Sequence, residues 1–250
     1  MRVPGPLYFD AQAAAAAVGD TLVLAGAEGH HAVDVRRLRA GEGVSVGDGA
    51  GRVCACTTVQ AAAGRLTVRV EQVLRERERG PRVCLIQALA KGGRDELAIQ
   101  AATEAGVDAV RPWQARRSIA RWAGPKAERG RRRWADVVRE ASKQSLRATI
   151  PAVEPLLADG SGTAALDALD ALFVLDPRAE RPLSAVPAVE LRGLARVGLL
   201  IGPEGGMSEA DLDALGAAGA WRVRLGDSVL RTSSAGLAAL ALLNVALGRW

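Results

Sequence analysis

Aromatic side chains are scarce: the 250 residues include two Phe, one Tyr and five Trp. The core must therefore be built from aliphatic side chains, and with 49% apolar residues the chain can fill one large domain or two smaller ones. Cysteine is scarce as well. Cys54, Cys56 and Cys84 cannot make a disulfide framework, and a reducing, cytoplasmic setting is expected. Histidine occurs only at His30 and His31, so although Cys54 and Cys56 share a strand face, no zinc or other metal site is expected. Cys84 lies in an apolar strand and reads as core. Long hydrophobic runs are missing too. None approaches the roughly 20 residues that span a bilayer, and the longest, Ala235 to Leu247, is broken by Asn244. The Ala13–Ala17 run lies between Asp10 and Asp20 with no basic segment before it, so neither a signal peptide nor a membrane partner is expected.

What is abundant is arginine, thirty against three lysines, and it is unevenly placed. Residues 111–147 hold ten Arg and two Lys against three acids, a net of +9. Residues 150–220 hold four Arg against eleven acids, a net of −7. A block as basic as the first points to a polyanion, unless it is simply a solvated helix face.

The first seventy residues read as β. Thr21–Leu24, Val44–Val46, Val53–Val59 and Leu66–Val70 are short strands separated by Gly-rich turns, and Leu66, Val68 and Val70 share one face. His30 to Arg39 reads as a short helix bearing Arg36, Arg37 and Arg39. A charged joint, Arg75 to Pro81, marks a domain boundary, giving domains 1–74 and 75–250. After it, strands and helices alternate: strands at Val83–Ala90, Ala109–Trp113, Leu172–Leu175, Val197–Ile201 and Trp221–Leu225, helices at Arg94–Ala105, 127–147, Ser208–Leu215 and Thr232–Leu247. Such alternation implies an α/β domain with a mostly parallel sheet. Ala158–Ala171, rich in small residues, reads as a linker with a short helix.

Three strands run into glycine-bearing loops. In Gly198-Leu199-Leu200-Ile201-Gly202-Pro203-Glu204-Gly205-Gly206-Met207-Ser208, a strand stops at three glycines and a lone carboxylate, and a capping-box-like helix start follows at Ser208 and Asp211. Loops at the C-terminal ends of parallel strands are where open α/β sheets bind ligands. The spacing fails both the dinucleotide fingerprint and the phosphate-loop pattern, which sets aside a nicotinamide oxidoreductase. Glu204 would repel a phosphate but suits a cationic or hydroxyl-bearing ligand, such as the sulfonium and ammonium of S-adenosylmethionine. The second loop is Leu225-Gly226-Asp227-Ser228-Val229-Leu230-Arg231-Thr232-Ser233-Ser234-Ala235, with Arg231 just before a helix. The third is Gln87-Ala88-Leu89-Ala90-Lys91-Gly92-Gly93-Arg94-Asp95-Glu96, where Lys91 faces an anion or solvent.

Together these stretches carry a resemblance that runs nearly end to end. His30 to Gly41, Lys91-Gly92 with Glu96 and Thr103-Glu104-Ala105-Gly106-Val107, Glu140 to Ser145, Ile201 to Glu209, and Leu225 to Ala235 resemble, in order, motifs of the ribosomal RNA small-subunit uracil-N3 methyltransferases of the SPOUT superfamily. The resemblance implies a PUA-like β-barrel N-terminal domain that helps hold RNA and a trefoil-knotted α/β methyltransferase domain, working as a homodimer. It implies S-adenosylmethionine bound by three strand-end loops, here at Leu175 and Asp176, at Ile201, Gly202, Pro203, Gly205 and Gly206, and at Leu225, Gly226, Val229 and Leu230. The implied reaction is methylation of N3 of a uridine in the decoding region of 16S rRNA of the 30S subunit. Two positions depart from the pattern: Gly93 stands where many members carry an acid, and Ser233 where many carry Glu.

Uracil N3 must lose a proton before it attacks, and charge then spreads to O2 and O4. Arg231 is the candidate to stabilise that charge, and Glu204 is either a base or a cofactor contact. Arg36, Arg37, Arg39, Lys91, Arg116 and Arg117 are candidates to grip RNA. His30 and His31 either touch RNA or are structural. Trp113, Trp122 and Trp134 lie in the basic stretch and either stack on bases or pack in the core, and Trp134 fits the apolar face of its helix. The alternatives are a ribose 2′-O methyltransferase of the same superfamily, whose Asn-rich motifs are missing, and a non-catalytic RNA-binding module.

Overall fold

The computed structural model describes residues 3–77, 80–158 and 166–250. Glu78 and Arg79 of the charged joint, and residues 159–165 of the supposed linker, lie outside the described residues. The chain forms two compact units, one of Met1–Glu78 with Ser142–Ile150, the other of Arg79–Ala141 with Pro151–Trp250. The return of Ser142–Ile150 to the first unit was not expected from the sequence.

The first unit is a five-stranded sheet in the order β1-β3-β4-β5-β2, with β1 Leu7–Phe9, β2 Thr21–Leu24, β3 Gly43–Gly47, β4 Arg52–Ala62 and β5 Arg65–Arg75. β1 pairs with β3 in parallel and the other ladders are antiparallel. Among the described residues no ladder joins the edge strands β1 and β2. Alternate residues point to one core: Leu22, Leu24, Val44, Val46, Leu66, Val68 and Val70 pack around Tyr8. A smaller cluster of Val3, Leu7, Phe9 and Val53 includes Ala148 from the returning segment.

The helix expected over His30 to Arg39 is shifted. α1 covers Gly26–His30, a single wide turn continues over His31–Val35, and Arg36, Arg37 and Arg39 fall beyond it, with Arg37 at a φ of 56°. Packing explains the shift. A Cβ on Gly29 would lie 2.3 Å from the Gly64 carbonyl oxygen and 2.7 Å from that of Leu24. Only glycine lets α1 sit that close to the sheet, so the helix begins among glycines where local propensity gives no sign of one.

The second unit is an α/β layer. Its six strands are β6 Arg82–Ala88, β7 Ala109–Trp113, β8 Ala152–Val153, β9 Ala171–Leu175, β10 Arg196–Ile201 and β11 Trp221–Val223. Their order is β11-β9-β10-β6-β7-β8, and every ladder is parallel. Helices α2 Arg94–Glu104, α3 Pro125–Gln144, α4 Ala188–Arg192, α5 Glu209–Ala217 and α6 Thr232–Ala246 connect and cover them. α6 packs on the face carrying Leu85, where a Cβ on Gly236 would lie 3.2 Å from Leu85 Cδ1. Leu212 and Leu215 of α5 join Ile86, Val174 and Leu200 on the other face. Gln87, Thr103 and Asn244 are buried polar groups in this unit, and Asn244 donates to the Ala105 carbonyl at 2.7 Å, joining α6 to the end of α2.

α5 starts with the capping box expected from the sequence. The Asp211 N–H donates to Ser208 Oγ at 3.1 Å, and the Ser208 N–H donates to Asp211 Oδ2 at 3.0 Å. Ser208→Ala is expected to cost about 1 kcal/mol, read from the midpoint of chemical unfolding.

Trp113 and Trp134 are buried in the core, which rules out both as free stacking platforms. Cys54, Cys56 and Cys84 are free and buried. Burial pushes the thiols of Cys56 and Cys84 up to about 12, so they stay protonated and inert. All three are expected to resist iodoacetamide in the native protein and to react once it is unfolded, as mass spectrometry of the alkylated chain would show. Among the described residues, no group of His, Cys, Asp and Glu could hold a metal ion, and no helix is long and apolar enough to cross a membrane.

Candidate active site

Because β11, β9 and β10 are neighbours in the sheet, their C-terminal ends bring three loops together. The loops after Leu175, Ile201 and Val223 enclose a cavity of about 760 Å³, a size that suits a nucleoside-bearing ligand. Of the eleven residues expected to hold the cofactor, all but Gly205 line it: Leu175, Asp176, Ile201, Gly202, Pro203, Gly206, Leu225, Gly226, Val229 and Leu230. Gly205 sits just outside, its carbonyl accepting from Arg117 Nη1 at 3.4 Å. Both expected catalytic residues, Glu204 and Arg231, line the same cavity, and so does Arg117.

Each loop is fixed by identifiable bonds. Asp176 is buried, and its carboxylate accepts from the Arg178 N–H at 3.0 Å, Arg178 Nε at 3.3 Å and Arg222 Nη2 at 2.5 Å. Burial alone would raise its carboxyl. The hydrogen bonds from the Arg178 N–H and from the Arg222 and Arg178 side chains outweigh that effect and hold it below the ordinary range. The Gly202 carbonyl accepts from Thr232 Oγ1 at 2.9 Å, and Thr232 Oγ1 accepts from the buried Gln87 Nε2 at 2.8 Å. This relay ties the ends of β6 and β10 to the first turn of α6.

Glu204 crosses to the loop after β6. Its Oε1 accepts from the Lys91 N–H at 3.2 Å and from Arg94 Nη1 at 3.1 Å. Arg94 also lines the cavity and was not singled out from the sequence. Nothing local marks it, because its partner lies 110 positions away. The Arg231 guanidinium, exposed at the start of α6, has no partner among the described residues.

The remaining RNA candidates are more scattered. Arg116 is half-exposed and lies 3.5 Å from Asp211. Lys91 is exposed, and its link to the site is through its backbone. Arg36, Arg37 and Arg39 lie in the first unit and are exposed. Nearby, His30 Nδ1 lies 2.8 Å from Asp34 Oδ2 and His31 packs edge-on to Tyr8, so both histidines have structural partners. The basic block is partly neutralised within the chain, since Arg131 and Arg132 pair with Glu128, and Arg133 with Glu96.

Comparison with known proteins gives this architecture its class. The RNA methyltransferase domain family matches residues 77–244, and the RNA methyltransferase PUA domain family matches residues 24–71. The chain is 42% identical over 236 residues to the ribosomal RNA small subunit methyltransferase E of Mycobacterium bovis, covering 93% of this chain and 89% of that protein. It is 28% identical over 229 residues to the protein of that name from Bacillus subtilis, covering 90% of each. Among solved structures, the ribosomal RNA small subunit methyltransferase E from Neisseria gonorrhoeae, bound to S-adenosyl methionine, superposes with a TM-score of 0.83 at 26% identity, covering 96% of this chain and 97% of that one. The chain belongs to the ribosomal RNA small subunit methyltransferase E family and carries a PUA-like domain and a SPOUT-type methyltransferase domain.

Proposed function

We propose that this protein transfers a methyl group from S-adenosylmethionine to N3 of a uridine in the decoding region of 16S rRNA in the 30S subunit. Membership in a small-subunit rRNA methyltransferase family supports the reaction class. The observation that carries the reading is the single cavity in which the three expected strand-end loops meet Arg231 and Glu204.

The lining fits the donor. Leu175, Ile201, Leu225 and Val229 offer apolar walls, and the glycine-bearing loops offer backbone donors and acceptors. When bound, S-adenosylmethionine supplies an electrophilic methyl on a sulfonium, so the displacement needs no metal. The chain's part is to hold that methyl in line with N3 and to meet the charge that develops on the uracil oxygens. Arg231 is placed for the second task. Glu204, held by Arg94 and the Lys91 N–H, fixes the Gly-rich loop against the loop after β6. Lys91, with Arg36, Arg37, Arg39 and Arg116, supplies cations for RNA phosphates, and Arg117, on the cavity lining, meets the RNA at the target nucleotide. The target base must leave its stack to reach the cavity. An apolar stripe on α6, with Leu237, Leu242 and Val245 exposed, supports a homodimer.

The test uses small subunits lacking the modification, incubated with the protein and S-adenosylmethionine and then copied by reverse transcriptase. N3 lies on the Watson–Crick edge, so its methylation gives a cofactor-dependent stop at one uridine. Methyl uptake without a stop would favour the ribose 2′-O reaction. Neither stop nor uptake would leave an RNA-binding module.

A further inference from the structure

An enzyme acting on uracil N3 must dispose of a proton, and the groups lining this cavity are a poor set for accepting one. No His, Cys, Lys or Tyr is among the described lining residues. The two acids there, Asp176 and Glu204, already accept from arginines and backbone N–H groups. Ser233, in the first turn of α6, and Gly93, before α2, carry no group that could take a proton. Arginine, by contrast, is in excess. Arg178 and Arg224 are held by Glu209 and Asp227, and Arg94 by Glu204. That leaves Arg117 and Arg231 on the lining without a carboxylate partner among the described residues.

An adjacent guanidinium favours the ionised form of an acid, lowering its pKa by about one to three pH units. Resting on the uracil-N3 reading above, we propose that the cavity takes the target base as its N3 anion, stabilised by Arg117 and Arg231, and that the proton is lost to solvent hydroxide or water. Among the described residues that line the cavity, no side chain serves as general base. The N3–H bond breaks with its electron pair left on nitrogen, and the proton goes to solvent. That pair forms the N3–CH3 bond, and the S–CH3 bond breaks with its pair returning to sulfur. Uracil and the sulfonium thus become 3-methyluracil, the neutral thioether and one released proton.

Single-turnover rates on small subunits carrying either uridine or the more acidic 5-fluorouridine at the target test this. With uridine the rate should rise about tenfold per pH unit from about pH 6, and with 5-fluorouridine it should level off at lower pH. Glu204→Gln should keep that slope, whatever rate it loses. A readout independent of turnover is the 19F resonance of the 5-fluorouridine substrate bound together with S-adenosylhomocysteine. At neutral pH it should sit at the anion's position, and Arg231→Ala should move it back toward the neutral base. A flat profile, a neutral-base resonance in the wild-type complex, or a loss of about a hundredfold or more with abolished slope in Glu204→Gln would overturn the proposal. Product identity separates the two readings: methyl uptake without a reverse-transcription stop defeats N3 methylation itself, whereas a stop with a flat profile defeats only the anion capture.

Discussion

Arg231→Ala is expected to lower the rate of methyl transfer by about 10²–10³-fold, the usual consequence of removing one pre-placed donor from a developing oxyanion. Arg231 occupies the cap position before α6, with extended backbone angles of −67° and 152°. Its carbonyl accepts from the Ser234 and Ala235 N–H groups at 3.0 and 2.9 Å, so the backbone is held by the first turn of the helix. The side chain has no carboxylate to satisfy and lies on the cavity wall. Its removal therefore takes a charge from the site without leaving a buried anion behind. Cofactor affinity, measured by calorimetry, should change little, so the loss falls on the chemical step. Arg231→Lys should recover part of the rate, since it restores the charge but not the planar fork that can meet two oxygens.

The largest effect on stability is expected for Trp134→Ala, at about 3–5 kcal/mol, which lowers Tm by roughly 6–20 °C in a chain of this size. Trp134 is only 1% exposed and meets Trp122 edge-on, with centroids 5.5 Å apart and planes at 76°. Trp122 in turn lies over Gly130, where a Cβ would come within 2.4 Å of the indole. A glycine in mid-helix lowers helix propensity, and here it makes room for an aromatic ring in a chain that has few. Trp134→Phe should keep part of the packing and lose less. Calorimetric Tm values for the two variants would separate the aromatic contact from simple volume loss.

What the sequence made legible was local. The strands into Leu175 and Ile201, the helix cap at Ser208 and the glycine-bearing loops follow from periodicity and turn chemistry, and the cavity forms where those loops meet. What it hid depended on partners far along the chain. α1 begins at Gly26 because the carbonyls of Leu24 and Gly64 leave space only for a glycine at position 29. Arg94 enters the site through Glu204, and Thr232 reaches the Gly202 carbonyl across thirty positions. The β1 strand at Leu7–Phe9 has no alternation to announce it and exists because β3 lies beside it.

The return of Ser142–Ile150 to the first unit bears on how the chain is made. Ala148 belongs to the cluster around Phe9 and Val53, the Ile150 N–H donates to the Gly49 carbonyl at 2.9 Å, and Thr149 Oγ1 donates to Glu76 Oε2 at 2.8 Å. As the chain leaves a translating ribosome, the first 78 residues emerge without these partners. The cluster of Val3, Leu7 and Phe9 is incomplete until Ala148, seventy positions beyond residue 78, has been synthesised. Biosynthesis therefore does not finish the amino-terminal unit before starting the carboxy-terminal one: the former waits for a segment that arrives with the latter already under way.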